Sequence, residues 1–399
     1  MAVPENPWGN EFVKPIYLDN QATTPVDPRV TEAMIPYLSE QFGNAASVHH
    51  AYGRKAKEAV EYARKTLANN INALSKEIVF TSGATEAINL AIRGVCEKHP
   101  GKGHIITQAT EHKAVLDTCE AMAKKGWAVT ILPVDTEGRV NPEDLKNAII
   151  DETVLVAIMH ANNEIGTIQP IDKIGKICKD KGVLFLVDAC QSFGKISIDV
   201  SEMHIDLLAA TAHKIYGPKG IGMLYTQSKG PKVKMVEQIT GGGHEHGRRS
   251  GTLPVHQIVG FGKAIEICDP AEHKVMADLQ KTLIYGISSI HPDVVMNGSL
   301  DHRLANNINI SFPRLDAETL IIKMKGIACS TGSACSSANL EPSHVLKAIG
   351  LKNEMAHSSI RFSLGRFNTE SEIQSAIQEI NKTVTLIKEK STHYQMMNA

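Results

Sequence analysis

The stretch VLVAIMHANNEIGTIQPIDKIGKICKDKGVLFLVDACQS, which runs from Val154 to Ser192, decides the fold. It contains two apolar, strand-like runs, Val154 to His160 and Val183 to Asp188, with an amphipathic helical run from Ile171 to Lys181 between them. Two strands that are joined through a helix form a crossover, and a crossover makes its two strands parallel. The stretch therefore predicts one unit of an α/β fold with a parallel sheet.

The same alternation extends over about residues 54 to 225. The further predicted helices are Lys55 to Ile71, Glu86 to Val95, Ala114 to Lys125 and Asn141 to Ile149, and the further predicted strands are Glu77 to Thr81, His104 to Thr107, Val129 to Val134 and Leu207 to Thr211. Strands that alternate with helices in this way form a mainly parallel sheet with helices on both faces. We therefore predict an α/β architecture for this part of the chain.

The pattern changes after about residue 265, where strands become fewer and shorter. A helix over Val275 to Ile290 precedes strands at Ala305 to Phe312 and Ser359 to Leu364, and a last helix begins with Thr369 and Glu372 at the spacing of a capping box. This pattern predicts a smaller α+β domain. At 399 residues the chain also exceeds the size at which one hydrophobic core stops growing, which favours two domains.

The composition excludes several classes of protein. Hydrophobic residues make up 42% and charged residues 21%, which is typical of a globular chain and not of a disordered one. Forty-two basic against 43 acidic residues give a net charge of -1, so we expect no direct binding to nucleic acid or to a membrane. The N-terminus has no signal-peptide pattern, and seven scattered cysteines do not suggest a disulfide framework, so we expect a cytoplasmic protein.

Polar residues that follow the predicted strands are the first candidates for chemistry, because ligands of such sheets bind beyond the carboxyl ends of the strands. Asp188 ends one strand and could offer a carboxylate to a protonated ring nitrogen, although it could equally cap the next helix. Lys214 follows another strand and enters a Gly/Pro turn, where burial would free its amine to form an imine; a lone lysine would more often be a solvated cation. Together, the two residues match the needs of pyridoxal phosphate.

A phosphate cradle is predicted where the strand Glu77 to Thr81 meets the next helix. The segment Ser82-Gly83-Ala84-Thr85 presents backbone N–H groups, a hydroxyl and a helix N-terminus to one point, although alone it would be an ordinary helix cap. Thr211 and His213 could add side-chain donors, and Thr252, at the end of the Gly-rich segment from Gly241 to Gly251, could do so from a neighbouring subunit.

Four further residues complete the predicted site. His112 could stack on a pyridine ring and carry protons, and Asn163 could bind the ring hydroxyl region or a substrate carboxylate; alone they would be a structural histidine and a turn asparagine. Arg361 lies in a predicted strand and could bind a carboxylate bidentately, the alternative being a surface ion pair. Cys335 lies in a segment of small polar residues and is a candidate nucleophile, whereas Cys329 is expected to be inert.

These motifs resemble those of a known family. The segments are TSGATEA from Thr81, TEHKAVLDTC from Thr110, HANNEIG from His160, VDACQS from Val187, AHKIYGPKGIG from Ala212, GGGHEHGRRSGTLPVHQIVG from Gly241, STGSACSSANLEPSHVLKAIG from Ser330 and AHSSIRFSLGRF from Ala356. In this order they resemble the pyridoxal-phosphate-dependent cysteine desulfurases of the IscS/NifS group, and the resemblance runs from about Ile16 to about Ile387.

The resemblance implies a fold-type-I, aminotransferase-like homodimer with a seven-stranded type of sheet. Its large cofactor domain would span residues 20–265, and its small domain would combine residues 1–19 with 266–399, which carry the Cys335 loop. The implied cofactor-binding residues are Ala84, Thr85, His112, Asn163, Asp188, Gln191, Thr211, His213 and Lys214, with Thr252 from the partner subunit. The implied catalytic residues are Lys214, His112 and Cys335, and the implied substrate-binding residues are Asn163 and Arg361.

The activity implied by the resemblance is the conversion of L-cysteine to L-alanine, with a persulfide formed on Cys335. The sulfur would pass to an iron–sulfur scaffold protein and to other acceptors, for cluster assembly and for tRNA thiolation. Cys335 could also ligate a transient [2Fe-2S] cluster that is shared with the scaffold. The alternatives are a selenocysteine lyase or a small-molecule aminotransferase of the same fold, and a docking protein without chemistry is a more distant one.

Overall fold

The computed structural model describes residues 14–99, 101, 103–230, 232–331 and 341–390. The strands in these residues are β1 (Ile16–Tyr17), β2 (Ile78–Thr81), β3 (His104–Gln108), β4 (Ala128–Leu132), β5 (Thr153–Met159), β6 (Leu184–Asp188), β7 (Leu207–Thr211), β8 (Gly222–Thr226), β9 (Val295–Met296), β10 (Asn307–Ser311), β11 (Ile327–Ala328) and β12 (Ser359–Ser363).

The helices alternate with these strands. They are α1 (Pro28–Met34), α2 (Pro36–Ser39), α3 (Ala51–Asn70), α4 (Ala84–Lys98), α5 (Lys113–Lys124), α6 (Pro142–Ala148), α7 (Ile171–Lys181), the single turn α8 (His244–Gly247), α9 (Val255–Glu266), α10 (Ala271–Ser288), α11 (Ala317–Lys323), α12 (His344–Ala348), α13 (Asn353–His357) and α14 (Glu370–Lys390). None of the helices in the described ranges is long and apolar enough to span a bilayer.

The central sheet has seven strands in the order β2-β8-β7-β6-β5-β3-β4. Strands β3 to β7 pair in parallel, whereas β8 pairs antiparallel with both β2 and β7. The prediction of a mainly parallel sheet is thus confirmed, and β8 is an addition to it. Strand β8 returns directly from β7 without a crossover helix, which is why it runs in the opposite direction.

Helices cover both faces of the sheet, and the side chains of a strand pack against the helices on both faces. On β5, Leu155 packs into the cluster formed by α4 and α5, while Val156 packs into the cluster formed by α3, α7 and α9. Both side chains are fully buried. Because adjacent strand residues point to opposite faces, a strand that is buried on both sides reads as a continuous apolar run. This explains why VLVAIM was recognisable as a strand.

The remaining sheets are small. Strands β12-β10-β9 form a three-stranded antiparallel sheet, and β1 pairs in parallel with β11, so the N-terminal strand lies beside a strand from late in the chain. The last helix has the predicted capping box. The N–H of Glu372 donates to Thr369 Oγ1 at 3.2 Å, and the N–H of Thr369 donates to Glu372 Oε2 at 3.0 Å.

Candidate active site

A cavity of about 930 Å³ lies at the carboxyl ends of β3, β5, β6 and β7. Its lining includes ten of the residues predicted from the sequence: Ala84, Thr85, His112, Asn163, Asp188, Gln191, Thr211, His213, Lys214 and Arg361. These residues come from separate strand ends, the start of α4 and β12. The parallel order of the strands is what brings them to one place.

Lys214 ends a short 3₁₀ turn, Ala212–Lys214, that directly follows β7. Its Nζ donates hydrogen bonds to the backbone carbonyl oxygens of Gln21 and Ala22, the latter at 2.7 Å. Burial lowers the pKa of the Lys214 amine to about 8. A substantial share of this amine is therefore neutral near physiological pH, as attack on an aldehyde requires.

Asp188 is the last residue of β6 and is only 6% exposed. Its Oδ1 accepts a hydrogen bond from the N–H of Cys190 at 2.9 Å, which fixes the carboxylate at the floor of the cavity. Burial, together with the charge of Asp188, raises the pKa of the Cys190 thiol well above its ordinary value. Cys190 therefore stays protonated and is a poor nucleophile, although it lines the cavity.

Gln191 lies on the same turn as Asp188. Its Nε2 donates to the carbonyl oxygen of Gln21 at 3.0 Å. Its Oε1 is buried and has no hydrogen-bond partner among the residues that the structure describes. Since buried polar atoms are normally hydrogen-bonded, an unpartnered amide oxygen beside the cavity indicates a place for a polar ligand atom.

His112 is the N-cap of α5, and its Nδ1 accepts a hydrogen bond from the N–H of Ala114 at 3.1 Å. An accepting Nδ1 places the proton of the neutral ring on Nε2. The cap therefore fixes both the tautomer and the position of the imidazole at the cavity wall.

The start of α4 forms another part of the wall. Gly83 precedes the helix with φ +157°, and a Cβ there would meet no atom within 4 Å, so the space in front of the helix is open. On the same side, the Thr211 hydroxyl donates to the carbonyl oxygen of Ile221 at 3.1 Å, and Nδ1 of His213 lies 3.1 Å from Thr23 Oγ1. Burial and the charge of Lys214 lower the pKa of His213 to about 4, so its imidazole is neutral.

Arg361, on β12, is 2% exposed and points into the cavity from the side of the small sheet. One of its terminal nitrogens donates to Asp19 Oδ1 at 2.6 Å, and the other donates to the carbonyl oxygen of Asn163 at 2.8 Å. Asp19 was not identified from the sequence. The chain segment before α1 gave no motif that could reveal it, because its contact with Arg361 spans 342 residues of sequence.

Glu111 was also not identified from the sequence as a site residue, although it directly precedes His112 and follows an apolar strand. Its Oε1 accepts from the N–H of Met159 at 2.6 Å and from Nε2 of Gln108 at 2.8 Å. It joins the ends of β3 and β5 beneath the cavity. The position of an acid at a strand end was a signal that could have identified it.

Two predicted residues lie apart from this arrangement. Thr252 is exposed and does not line the cavity of its own chain. Cys335 lies outside the described residues, so its role stays a prediction. Burial raises the pKa of Cys329 to about 12, which agrees with the expectation of an inert thiol. Over the described ranges no group of three or more metal-ligating side chains is present.

Described residues near both ends of the segment 332–340 line the cavity or pair with a residue that lines it. Before the segment, the backbone of Ser330 pairs with that of Arg361, and its hydroxyl donates to Asp19 Oδ1 at 3.2 Å. After the segment, His344 lines the cavity, and its Nε2 lies 2.9 Å from the carbonyl oxygen of Glu111.

The family model of aminotransferase class V matches residues 16–375. The chain belongs to the class-V aminotransferase family. Among its relatives, a protein named cysteine desulfurase IscS from Anaeromyxobacter sp. (strain Fw109-5) is 49% identical over 387 residues, which cover 96% of each chain. A protein of the same name from Neisseria meningitidis serogroup C / serotype 2a is 51% identical over 386 residues, covering 96% of this chain and 95% of that one.

Solved structures agree with this class-V aminotransferase fold. A NifS-like protein superposes with a TM-score of 0.87 at 37% identity and covers 94% of this chain and 100% of its own. A structure titled SspA in complex with cysteine superposes with a TM-score of 0.79 at 38% identity and covers 89% of this chain and 100% of its own. The predicted fold class is confirmed.

The family implies pyridoxal phosphate as a cofactor, and the residues of the cavity fit this group. The neutral fraction of the Lys214 amine suits an aldehyde, and the buried Asp188 carboxylate suits a protonated ring nitrogen. The open space before α4 suits a phosphate, because the first N–H groups of a helix have no partner within the helix. The unpartnered Oε1 of Gln191 adds a buried polar atom between these points.

Proposed function

We propose that this class-V aminotransferase homologue is a cysteine desulfurase. One L-cysteine and the thiol of Cys335 would give one L-alanine and one persulfide on Cys335. The observation that carries the proposal is that the Lys214 amine and the Asp188 carboxylate meet in one cavity with Arg361 and His112. The names of the relatives that are about half identical over nearly the whole chain support the same activity.

When bound, pyridoxal phosphate would supply an aldehyde for amines and a ring that takes up an electron pair from the substrate. In the proposal, Lys214 would hold the aldehyde, Asp188 would keep the ring nitrogen protonated and Gln191 would bond the phenolic oxygen. The proposed phosphate ligands are Ala84, Thr85, Thr211 and His213, together with the partner subunit's Thr252.

Arg361 and Asn163 hold the substrate carboxylate in this proposal, since both line the cavity and are hydrogen-bonded to each other. The Lys214 amine, part of which is neutral near physiological pH, would take the Cα proton of the substrate. His112 would stack on the ring and relay a proton between the substrate thiol and the ring through Nε2, since Nδ1 is engaged by the N–H of Ala114.

The sulfur step requires a thiolate at Cys335. In the proposal, this thiolate forms a bond to the substrate sulfur while the carbon–sulfur bond of the substrate breaks, and the electron pair returns to the substrate carbon, which is then protonated. The step needs no external oxidant, because one carbon–sulfur bond is replaced by one sulfur–sulfur bond and the released electron pair stays on the substrate carbon. Cys335 is four residues from Thr331, a chain length that reaches at most about 14 Å, and the neighbouring Ser330 is paired with the cavity residue Arg361.

We also propose a homodimer. Apolar side chains that are exposed in the single chain, and that would be covered by a second copy, gather on α1 to α3 and the segments between them: Ile35, Leu38, Phe42, Tyr52 and Tyr62. Patches of this kind mark protein interfaces. A second copy would also bring the partner subunit's Thr252 to the cavity, since Thr252 does not line the cavity of its own chain.

Two finer parts of the proposal concern organisation and partners. We propose a large domain of residues 20–265 and a small domain of 1–19 with 266–399, which the separate cluster of Leu18 with residues 279–384 supports. We propose a cytoplasmic location, which the six free cysteines among the described residues support. The partners are an iron–sulfur scaffold protein and other sulfur acceptors, for cluster assembly and tRNA thiolation, with Cys335 as a transient ligand of a [2Fe-2S] cluster on the scaffold.

The test is the reaction of the purified holoenzyme with L-cysteine and a thiol reductant, without a 2-oxo acid. Alanine and sulfide should appear in equal amounts. The variant Cys335→Ser should keep the cofactor absorbance and the spectral change on cysteine binding but release no sulfide. Lys214→Ala should lose the covalent bond to the cofactor and should form neither alanine nor sulfide. Sulfide release by Cys335→Ser at the wild-type rate, or a requirement for a 2-oxo acid, would contradict the proposal.

A further inference from the structure

A carboxylate lies at the end of α4 that faces the cavity. Glu86 is the third residue of the helix, and its Oε2 accepts a hydrogen bond from the N–H of Ser82 at 2.8 Å. Ser82, Gly83, Ala84 and Thr85 all line the cavity. An acidic side chain stabilises a helix N-terminus, but its negative charge would also repel a phosphate bound there.

Arg249 pairs with this carboxylate. Its Nε lies 2.7 Å from Glu86 Oε1 and its terminal nitrogen 3.1 Å from Oε2, so the contact is bidentate, and both side chains are only 16% exposed. Burial alone would raise the pKa of Glu86, but the hydrogen bonds from Arg249 and Ser82 outweigh it and lower the pKa. Glu86 is therefore ionised at neutral pH, and the guanidinium compensates its charge.

Arg249 lies in a segment that two further side chains anchor to the rest of the chain. Within the same segment, the Arg248 guanidinium donates to Thr226 Oγ1 at 2.8 Å, and the Glu245 carboxylate pairs with the buried Arg64 at 2.7 Å. Glu245 adopts a left-handed backbone conformation with φ 52°, which a non-glycine residue keeps only when its surroundings hold it there. These contacts of the segment hold the guanidinium of Arg249 beside Glu86.

We propose that Arg249 is a positioning residue for the cofactor phosphate. By compensating the charge of Glu86, it leaves the first N–H groups of α4 available to an anion, and it thereby makes phosphate binding depend on the Gly-rich segment 241–251. The proposal rests on the proposed use of pyridoxal phosphate. It goes beyond that proposal because neither Glu86 nor Arg249 contacts the phosphate in it.

If Arg249 acts by compensating the charge of Glu86, substitutions of the two residues should change phosphate binding in opposite directions. Removal of the cation in Arg249→Met leaves an uncompensated carboxylate beside the phosphate, so binding weakens. Removal of the anion in Glu86→Gln keeps the acceptor for Ser82 and leaves a positive charge, so binding stays equal or tightens. The double variant is neutral again and should bind nearly as the wild type does. A pair with a merely structural role would weaken binding in both single variants.

The experiment titrates the apoprotein of each variant with pyridoxal phosphate and, separately, with pyridoxal, which lacks the phosphate, and follows cofactor absorbance. For Arg249→Met we expect about a tenfold loss of affinity for pyridoxal phosphate and no change for pyridoxal. Arg248→Met is the matched control, because Arg248 anchors the same segment at Thr226 away from Glu86; it should leave the ratio of the two affinities unchanged. If Arg249→Met does not fold, Arg249→Lys replaces it and should show a smaller loss of the same kind.

An unchanged ratio in Arg249→Met, an equal change in Arg248→Met, or weaker phosphate binding in Glu86→Gln would overturn the proposal. These outcomes are independent of desulfurase activity, because they concern cofactor binding to the apoprotein. Failure of the wild-type holoenzyme to form alanine from cysteine would instead contradict the proposed function and leave the binding result standing.

Discussion

The buried carboxyl of Glu111 should make the apoprotein less stable as the pH rises above about 5. Burial is the largest cause that raises the pKa of Glu111 to about 8; the hydrogen bond from Met159 lowers the pKa and the charge of Asp188 raises it further. Its Oε2 has no hydrogen-bond partner in the described part of the chain. The folded protein therefore keeps a proton that the unfolded chain releases.

The size of the effect follows from the two pKa values. A glutamate with its ordinary pKa of 4.5 in the unfolded state and about 8 in the folded state adds its full contribution to the free energy of unfolding below pH 4.5. That contribution is lost as the pH rises toward 8. The loss approaches about 1.4 kcal/mol per pH unit between these values. From pH 5 to pH 7 the free energy of unfolding should thus fall by about 2.5 kcal/mol from this group alone.

The variant Glu111→Gln removes the titration and keeps the acceptor oxygen for Met159 and Gln108. We expect its free energy of unfolding, from urea titrations of the apoprotein at pH 5, 6, 7 and 8, to lack this fall, so that the wild type loses about 2.5 kcal/mol relative to it by pH 7. Glu58→Gln, on the exposed side of α3, is the matched control and should follow the wild type. Wild-type and Glu111→Gln curves that stay parallel over this range would refute the reasoning.

Three further predictions follow from the buried groups. The rate at which apoprotein captures the pyridoxal phosphate aldehyde, measured by stopped-flow absorbance, should rise with pH with a midpoint near 8 as Lys214 loses its proton, and a rate independent of pH from 6 to 9 would contradict the proposed neutral amine. Arg64→Met leaves the Glu245 carboxylate buried without its partner and should cost about 3–5 kcal/mol in urea unfolding, against less than 1 for the exposed control Lys176→Met. Ile380→Ala, in the fully buried face of α14, should cost about 2–5 kcal/mol while cofactor affinity is unchanged; an affinity loss would show that this core supports the cavity directly.

Much of the candidate site could be predicted because its residues directly follow apolar strands. Asp188 ends β6, and Lys214 follows β7 after a short turn, so strand recognition alone located both. In contrast, Asp19 meets Arg361 through the pairing of β1 with β11 and the bridge between Asp19 and Ser363, contacts that no local pattern encodes. Gln21 was missed for the same reason, since only the folded chain brings its carbonyl oxygen to Lys214.

The sequence by itself determined the alternation of strands and helices from α3 to β7, because a strand buried on both faces must be a continuous apolar run and each crossover helix must bury one face. It also determined which residue types stand at the strand ends. Only the tertiary structure decided the antiparallel placement of β8, the protonation of Glu111 and the pairing of Arg249 with Glu86. These depend on burial and on distances between residues far apart in the chain, and both quantities exist only once the chain has folded.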